Sequence, residues 1–197
     1  MAVSDIIVSP ASIWIAPVGE AEPDPNTVDL GANWGGNWEN MGFTTAPISV
    51  SYSRDEFELF VQQLTAPVRR INTKEDFMIE TTLAEQTANN MALVMNGTAT
   101  TTAAAAGVVG NERVVAGGSP QIDQFTIGME GTYQDDTNAK FPVRLVLFSV
   151  TVSLNGKLEF SKTEAAGIPM QARALADTNR VVGQQTFSWT KVTEAAL

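Results

Sequence analysis

The sequence predicts a mainly β fold with one helix, on three observations. Period-two alternation recurs along the chain, most cleanly over residues 48–54, where Ile48, Val50 and Tyr52 oppose Ser49, Ser51 and Ser53. A single segment, residues 83–95, carries apolar side chains at helical spacing. Glycine, proline and asparagine punctuate the apolar stretches throughout, with 15 Gly and 9 Pro. The 197 residues fit one domain, spanning 1–197, with long arms.

Composition narrows the function classes. Hydrophobic residues at 44% supply a core, whereas charged residues at 17% leave a free-standing surface short of charge, which points to surface covered by neighbours. A net charge of −10 argues against a sequence-independent grip on nucleic acid, which needs a Lys/Arg face. The chain has no His and no Cys, so His bases, Cys nucleophiles, His/Cys zinc sites and disulfides are excluded. No carboxylate pair stands in a recognisable frame, so neither an enzyme nor a cofactor is expected. The N-terminus, Met1-Ala-Val-Ser-Asp-Ile-Ile-Val8, has no basic start, and no stretch approaches a membrane span. The expected setting is a cytoplasm-like compartment, or a particle leaving it.

Residues 1–45 read as an arm with a short strand over 12–16, stopped by Pro17, and then an acidic loop, Gly19-Glu-Ala-Glu-Pro-Asp-Pro-Asn26. The alternating oxygens of that loop hint at calcium, but Pro23 and Pro25 intrude and the EF-hand glycine is missing, so it reads as solvated. Trp34 and Trp38, among glycines and asparagines, read as plugs of a core edge or subunit interface rather than a sugar platform. A short strand is expected over 39–44. Residues 77–83 repeat the period-two pattern, with Phe77, Ile79, Thr81 and Leu83 against Met78, Glu80 and Thr82. Between these strands, residues 54–67 form a long loop carrying Phe57, Leu59, Phe60, Val61 and Leu64; so apolar a loop calls for a partner surface.

The helix is expected to begin at the capping box Thr82-Leu-Ala-Glu85 and to stop at Asn96-Gly97. Residues 98–120 are low in complexity and read as a surface excursion with a short strand over 113–116. Alternation returns over 124–132, and residues 141–154 form a long apolar run that bends or bulges. Asn155-Gly156 signals a hairpin returning into a strand over 157–163. Residues 168–175 and 186–192 complete the strands. Asp135-Asp-Thr-Asn138 reads as a turn.

In this order the elements resemble the major tail tube proteins of long, non-contractile-tailed bacteriophages. The resemblance rests on Ile13-Trp-Ile-Ala-Pro-Val-Gly19, on the strand, loop and strand over 48–83 running into Leu83-Ala-Glu-Gln-Thr-Ala-Asn-Asn90, and on residues 162–177 with their late Ile-Pro and Ala-Leu-Ala-Asp. It implies two packed antiparallel sheets forming a barrel-like sandwich flanked by one helix. It further implies homohexameric rings stacked head to tail, without cofactor, in a virion tail assembled in the host cytoplasm. Genomic DNA then passes through without specific binding, and the tail-terminator, distal tail and tape-measure proteins are the other partners. On this reading Ser49, Ser51, Ser53, Met78, Glu80 and Thr82 line the bore, and Phe57, Leu59, Phe60 and Leu64 make inter-ring contacts. Two alternatives compete: a carbohydrate- or receptor-binding β-sandwich supported by Trp14, Trp34, Trp38 and Trp189, and a neck or tail-terminator ring protein.

Overall fold

The computed structural model describes residues 9–135, 137–162 and 166–194. In chain order the elements are β1 (Ser12–Pro17), β2 (Glu39–Asn40), β3 (Ser49–Leu59), β4 (Arg69–Leu83), α1 (Ala88–Val94), β5 (Gly97–Thr102), β6 (Asn111–Ala116), β7 (Gln124–Gln134), β8 (Lys140–Leu154), β9 (Ile168–Ala174) and β10 (Phe187–Lys191). The main sheet runs β2-β1-β7-β8-β9-β4-β3, with β10 also paired to β8, and β5-β6 form a separate two-stranded sheet. The mainly β fold with one helix is thus observed.

The long apolar run becomes β8, and β8 serves two layers. β10 pairs with it over residues 143–147, β9 pairs with it over residues 150–154, and β7 runs along its other side. Between the two halves the ladder shifts register: Phe125 and Ile127 of β7 face Val150 and Leu147, so β8 carries one extra residue. Such a bulge reverses the alternation. Leu145 and Leu147 before it, and Val150 and Val152 after it, therefore all join one core with Ile13, Ile79, Leu83, Ile127, Ile168 and Met170. Across that core Phe77 of β4 packs on Phe187 of β10, ring centroids 4.9 Å apart, although the two strands are not paired. The sheet folds back on itself as a sandwich.

Segment 41–45 bridges the two layers at one end. The Met41 amide donates to Ile13 (3.0 Å), the Thr45 amide to Thr82 (2.9 Å), and the Ala84 amide to Phe43 (2.8 Å). No sheet among the described residues closes into a barrel.

Several local expectations need correction. The helix does not start at Thr82, because the sheet claims that residue: Leu83 is fully buried, and Thr82 lies opposite Pro169 in the ladder. The cap is Thr87, whose hydroxyl accepts from the Asn90 amide (3.1 Å), while Glu85 accepts from the Phe43 amide instead. Asn96, with φ 50°, supplies the left-handed stop. Asn155-Gly156 closes no two-residue hairpin. The Asn155 amide stays in the ladder on Pro169 (2.9 Å), and the chain loops out before returning as β9. Residues 157–162 form no strand, and Thr163 lies outside the described residues. Finally, the excursion over 98–120 is largely the β5-β6 hairpin, on which α1 packs. Glu112 of β6 accepts from the Ala88 amide at the start of α1 (3.1 Å).

Candidate assembly surfaces

Residues directly opposite each other in an antiparallel ladder share a face of the sheet. Ser49 lies opposite Glu80, Ser51 opposite Met78 and Ser53 opposite Asp76. With Thr82, these side chains occupy the face turned away from the core, whose own side holds Phe77, Ile79 and Leu83. The face continues outward. Met78 faces Arg173, Glu80 faces Gln171, and these in turn face Thr151 and Ser153 of β8. The Asn155 side-chain amide donates to Glu80 (2.7 Å), and that of Gln171 to the Met78 sulfur. The result is a hydroxyl- and amide-rich surface over β3, β4, β9 and β8, with acids at Asp76 and Glu80 and a base at Arg173. Sequence reading missed Asp76, Thr151, Ser153, Gln171 and Arg173. Alternation over residues 168–174 carries the signal for Gln171 and Arg173, which the β4-β9 pairing adds to this face; Asp76 joins it opposite Ser53, and Thr151 and Ser153 join it through the β8-β9 pairing.

The segment read as a loop over 54–67 is mostly strand. Pairing to β9 ends at Met78, so β3 and β4 run on together as a two-stranded arm, exposed almost throughout and closed by the Val68 amide donating to Leu59 (2.8 Å). Thr73 is an extra residue in the arm, and its hydroxyl donates to the Asp55 carbonyl (3.0 Å). Beyond this bulge the two sides differ. Phe57 opposite Ile71, and Leu59 opposite Arg69, make one side; Glu56 opposite Asn72, and Glu58 opposite Arg70, make the other. The polar side carries ion pairs, Arg54–Glu56 at 2.7 Å and Arg70–Glu58 at 2.8 Å, whose exposure limits each to about 0–1 kcal/mol. Phe57, Leu59, Phe60 and Leu64 stay 44–57% exposed. The four residues expected to make inter-ring contacts thus lie together on the arm and its tip.

A second exposed region lies where the sandwich is open. Val50 and Tyr52 of β3, and Phe187 and Trp189 of β10, point to the core side yet remain roughly half exposed, because among the described residues no strand pairs with the outer edge of either element. A cavity of about 580 Å³ opens there, lined by Tyr52, Phe77, Leu175 and Phe187 among others.

The remaining sheet face is closed from within. Residues 21–38 fold across it, and Trp14, Trp34, Trp38, Val146 and Phe148 form a second core. Trp14 and Trp34 stack at 5.4 Å, and Trp38 meets Trp34 edge-on at 4.8 Å. Trp34 and Trp38 are only 4% and 5% exposed, which removes the sugar platform. A buried ion pair secures this layer. Arg144 Nε donates to Glu130 (2.8 Å), Arg144 Nη2 to the Val28 carbonyl (2.6 Å), and the Gly31 amide to Glu130 (2.8 Å). The acidic loop is partly engaged as well: Glu22 pairs with Arg180 (3.1 Å) and accepts from Ser188. At the β7-β8 turn, Asp135 accepts from the Thr137 hydroxyl and from the Ala139 and Thr137 amides, and these hold its carboxyl below the usual range.

A sequence model of one family, described as phage tail tube protein, matches residues 3–195. The chain belongs to that family. No curated protein matches it. The family is one of structural proteins, so this phage tail tube protein is a component of the virion tail that assembles with itself and with other tail proteins. The exposed arm, the open sandwich side and the wet sheet face are the surfaces it offers.

Proposed function

We propose that six copies of this chain join edge to edge into a ring, and that rings stack head to tail into the tube that conducts DNA from capsid to host. The observation that carries this is the arm: an exposed two-stranded projection with one apolar side has no stabilising role within its own subunit and calls for a partner. Single-neighbour edges at β3 and β10, flanked by half-exposed Tyr52, Phe187 and Trp189, supply the lateral contacts. Contacts of this kind use two different surfaces, so they propagate. Ser49, Ser51, Ser53, Met78, Glu80 and Thr82 face the bore, where a hydroxyl-rich wall with few cations gives a polyanion little to adhere to. An assembled tube with Ser51 and Glu80 on its exterior would contradict that assignment. Assembly takes place in the host cytoplasm, against the tape-measure, distal tail and tail-terminator proteins.

Phe60→Asp tests the arm. The substitution is at an exposed position and leaves the fold intact, while placing a charge at the apolar tip. Electron microscopy of the purified variant is expected to show rings or subunits without long tubes. Tubes of normal length would overturn the inter-ring role. Rings from the parent chain that never stack would favour a terminator instead.

A further inference from the structure

The opposite pole of the subunit carries a groove whose chemistry answers that of the arm tip. It has a volume of about 950 Å³ and lies between the end of β1, β2, α1 and the base of the β5-β6 hairpin. Its lining includes Glu39, Glu85, Glu112 and Asp123, together with apolar Ile15, Leu93 and Phe125, and contains no Lys or Arg. Phe43, whose amide donates to the groove-lining Glu85, is 79% exposed. The tip has the complementary character. Residues 59–70 hold Leu59, Phe60, Val61, Leu64 and Val68, no acid at all, and the cations Arg69 and Arg70, the latter already paired with Glu58.

Position matters as much as charge. β4 begins at Arg69 beside the tip and ends at Leu83, next to segment 41–45 and the groove. Its 15 residues span about 50 Å at roughly 3.3 Å each. Tip and groove therefore sit at opposite ends of one strand, and a shift along that strand brings the tip of one copy to the groove of the next.

We infer that the arm tip of one copy seats in this acidic groove of a copy in the adjacent ring, with Phe60 and Leu64 on its apolar floor and Arg69 against Glu39 and Asp123. Because the two surfaces differ and lie at opposite poles, the contact cannot close on itself and extends without limit along the axis. This rests on the stacked-ring reading above and names the receptor it leaves open.

Charge exchange and cross-linking test it on the full chain. Arg69→Glu alone, and Glu39→Arg with Asp123→Arg, are each expected to slow tube elongation, followed by light scattering, by about tenfold or more. All three substitutions in one chain should recover most of that loss. The chain has no Cys, so Leu64→Cys with Asn89→Cys, both at exposed positions and the latter in the groove wall, supplies the only possible disulfide. Oxidised tubes should give covalent ladders longer than two subunits, and either single variant should not. Groove reversal without effect, no recovery in the combined chain, or tubes that form without ladders would each overturn the groove assignment. If Phe60→Asp still abolishes stacking in that event, the arm docks elsewhere and the stacked-ring reading stands. If Phe60→Asp is also silent, tubes form without the arm and its inter-ring role falls too.

Discussion

Glu130→Gln removes one charge of the ion pair beneath the tryptophan layer. Both side chains are almost fully buried, at 2% and 3% exposure, so the Arg144 guanidinium is left in a poorly solvated site without its counter-charge. Removing one partner of a buried pair costs about 3–5 kcal/mol, a large fraction of the roughly 5–15 kcal/mol that holds a domain together. The lower end is expected here, since Gln can still accept from the Gly31 amide and Arg144 keeps its bond to the Val28 carbonyl. At about 2–4 °C per kcal/mol for a chain of this size, Tm should fall by roughly 6–12 °C. The assay is thermal unfolding of unassembled subunits, because polymerisation would raise apparent stability by mass action. The double variant Glu130→Gln with Arg144→Met, which removes both charges, should regain much of the loss. A single variant within about 2 °C of the parent, or a double variant less stable than the single one, would show that the pair does not secure this layer.

Other outcomes follow from the same structure. Gly128→Ala should cost about 1–3 kcal/mol in denaturant unfolding, because a new methyl overlaps the Trp34 ring, which stacking on Trp14 holds in place. Thr87→Ala should cost about 1 kcal/mol by removing the cap of α1, read by the same unfolding curves. Asp135→Asn should destabilise at neutral pH. The native carboxyl titrates lower than the unfolded one, so its contribution is present above the ordinary carboxylate range and fades as pH falls through the lowered value. Parent and variant stabilities should therefore converge in acid. Ser51→Lys, which adds cations to the proposed bore, should leave tube assembly intact and slow DNA release from virions, with the delay shrinking as salt is raised.

The strands were legible because alternation is a local signal. The Ser49–Ser53 and Phe77–Leu83 patterns identified two strands and, once paired, a common wet face, since only the apolar side of each can meet a core. What stayed hidden depended on competition between elements. Thr82 and Glu85 form a valid capping box in isolation, but Leu83 gains more from the sheet core, which moves the start of the helix to Thr87. Asn155-Gly156 has the residues for a tight turn, yet β8 finds its partner in residues 168–174. Residues 54–59 lack alternating apolar burial because the arm has no core beneath it, and so they resembled a loop. Trp34 and Trp38 plug the core as their place in the sequence predicts, but the Glu130–Arg144 pair under them leaves no local signal: its partners come from β7 and β8 and from residues 28–31, far apart in the chain.

High-resolution imaging of tubes grown from the purified chain would show the ring, the arm and the bore together. Rings of six are expected, with β3 edges joining neighbouring sheets, each arm reaching into the next ring and the Ser49–Ser51–Ser53 face turned to the bore. A chain that remains a single subunit at high concentration, or a tube whose arms fold back on their own subunits, would contradict this arrangement.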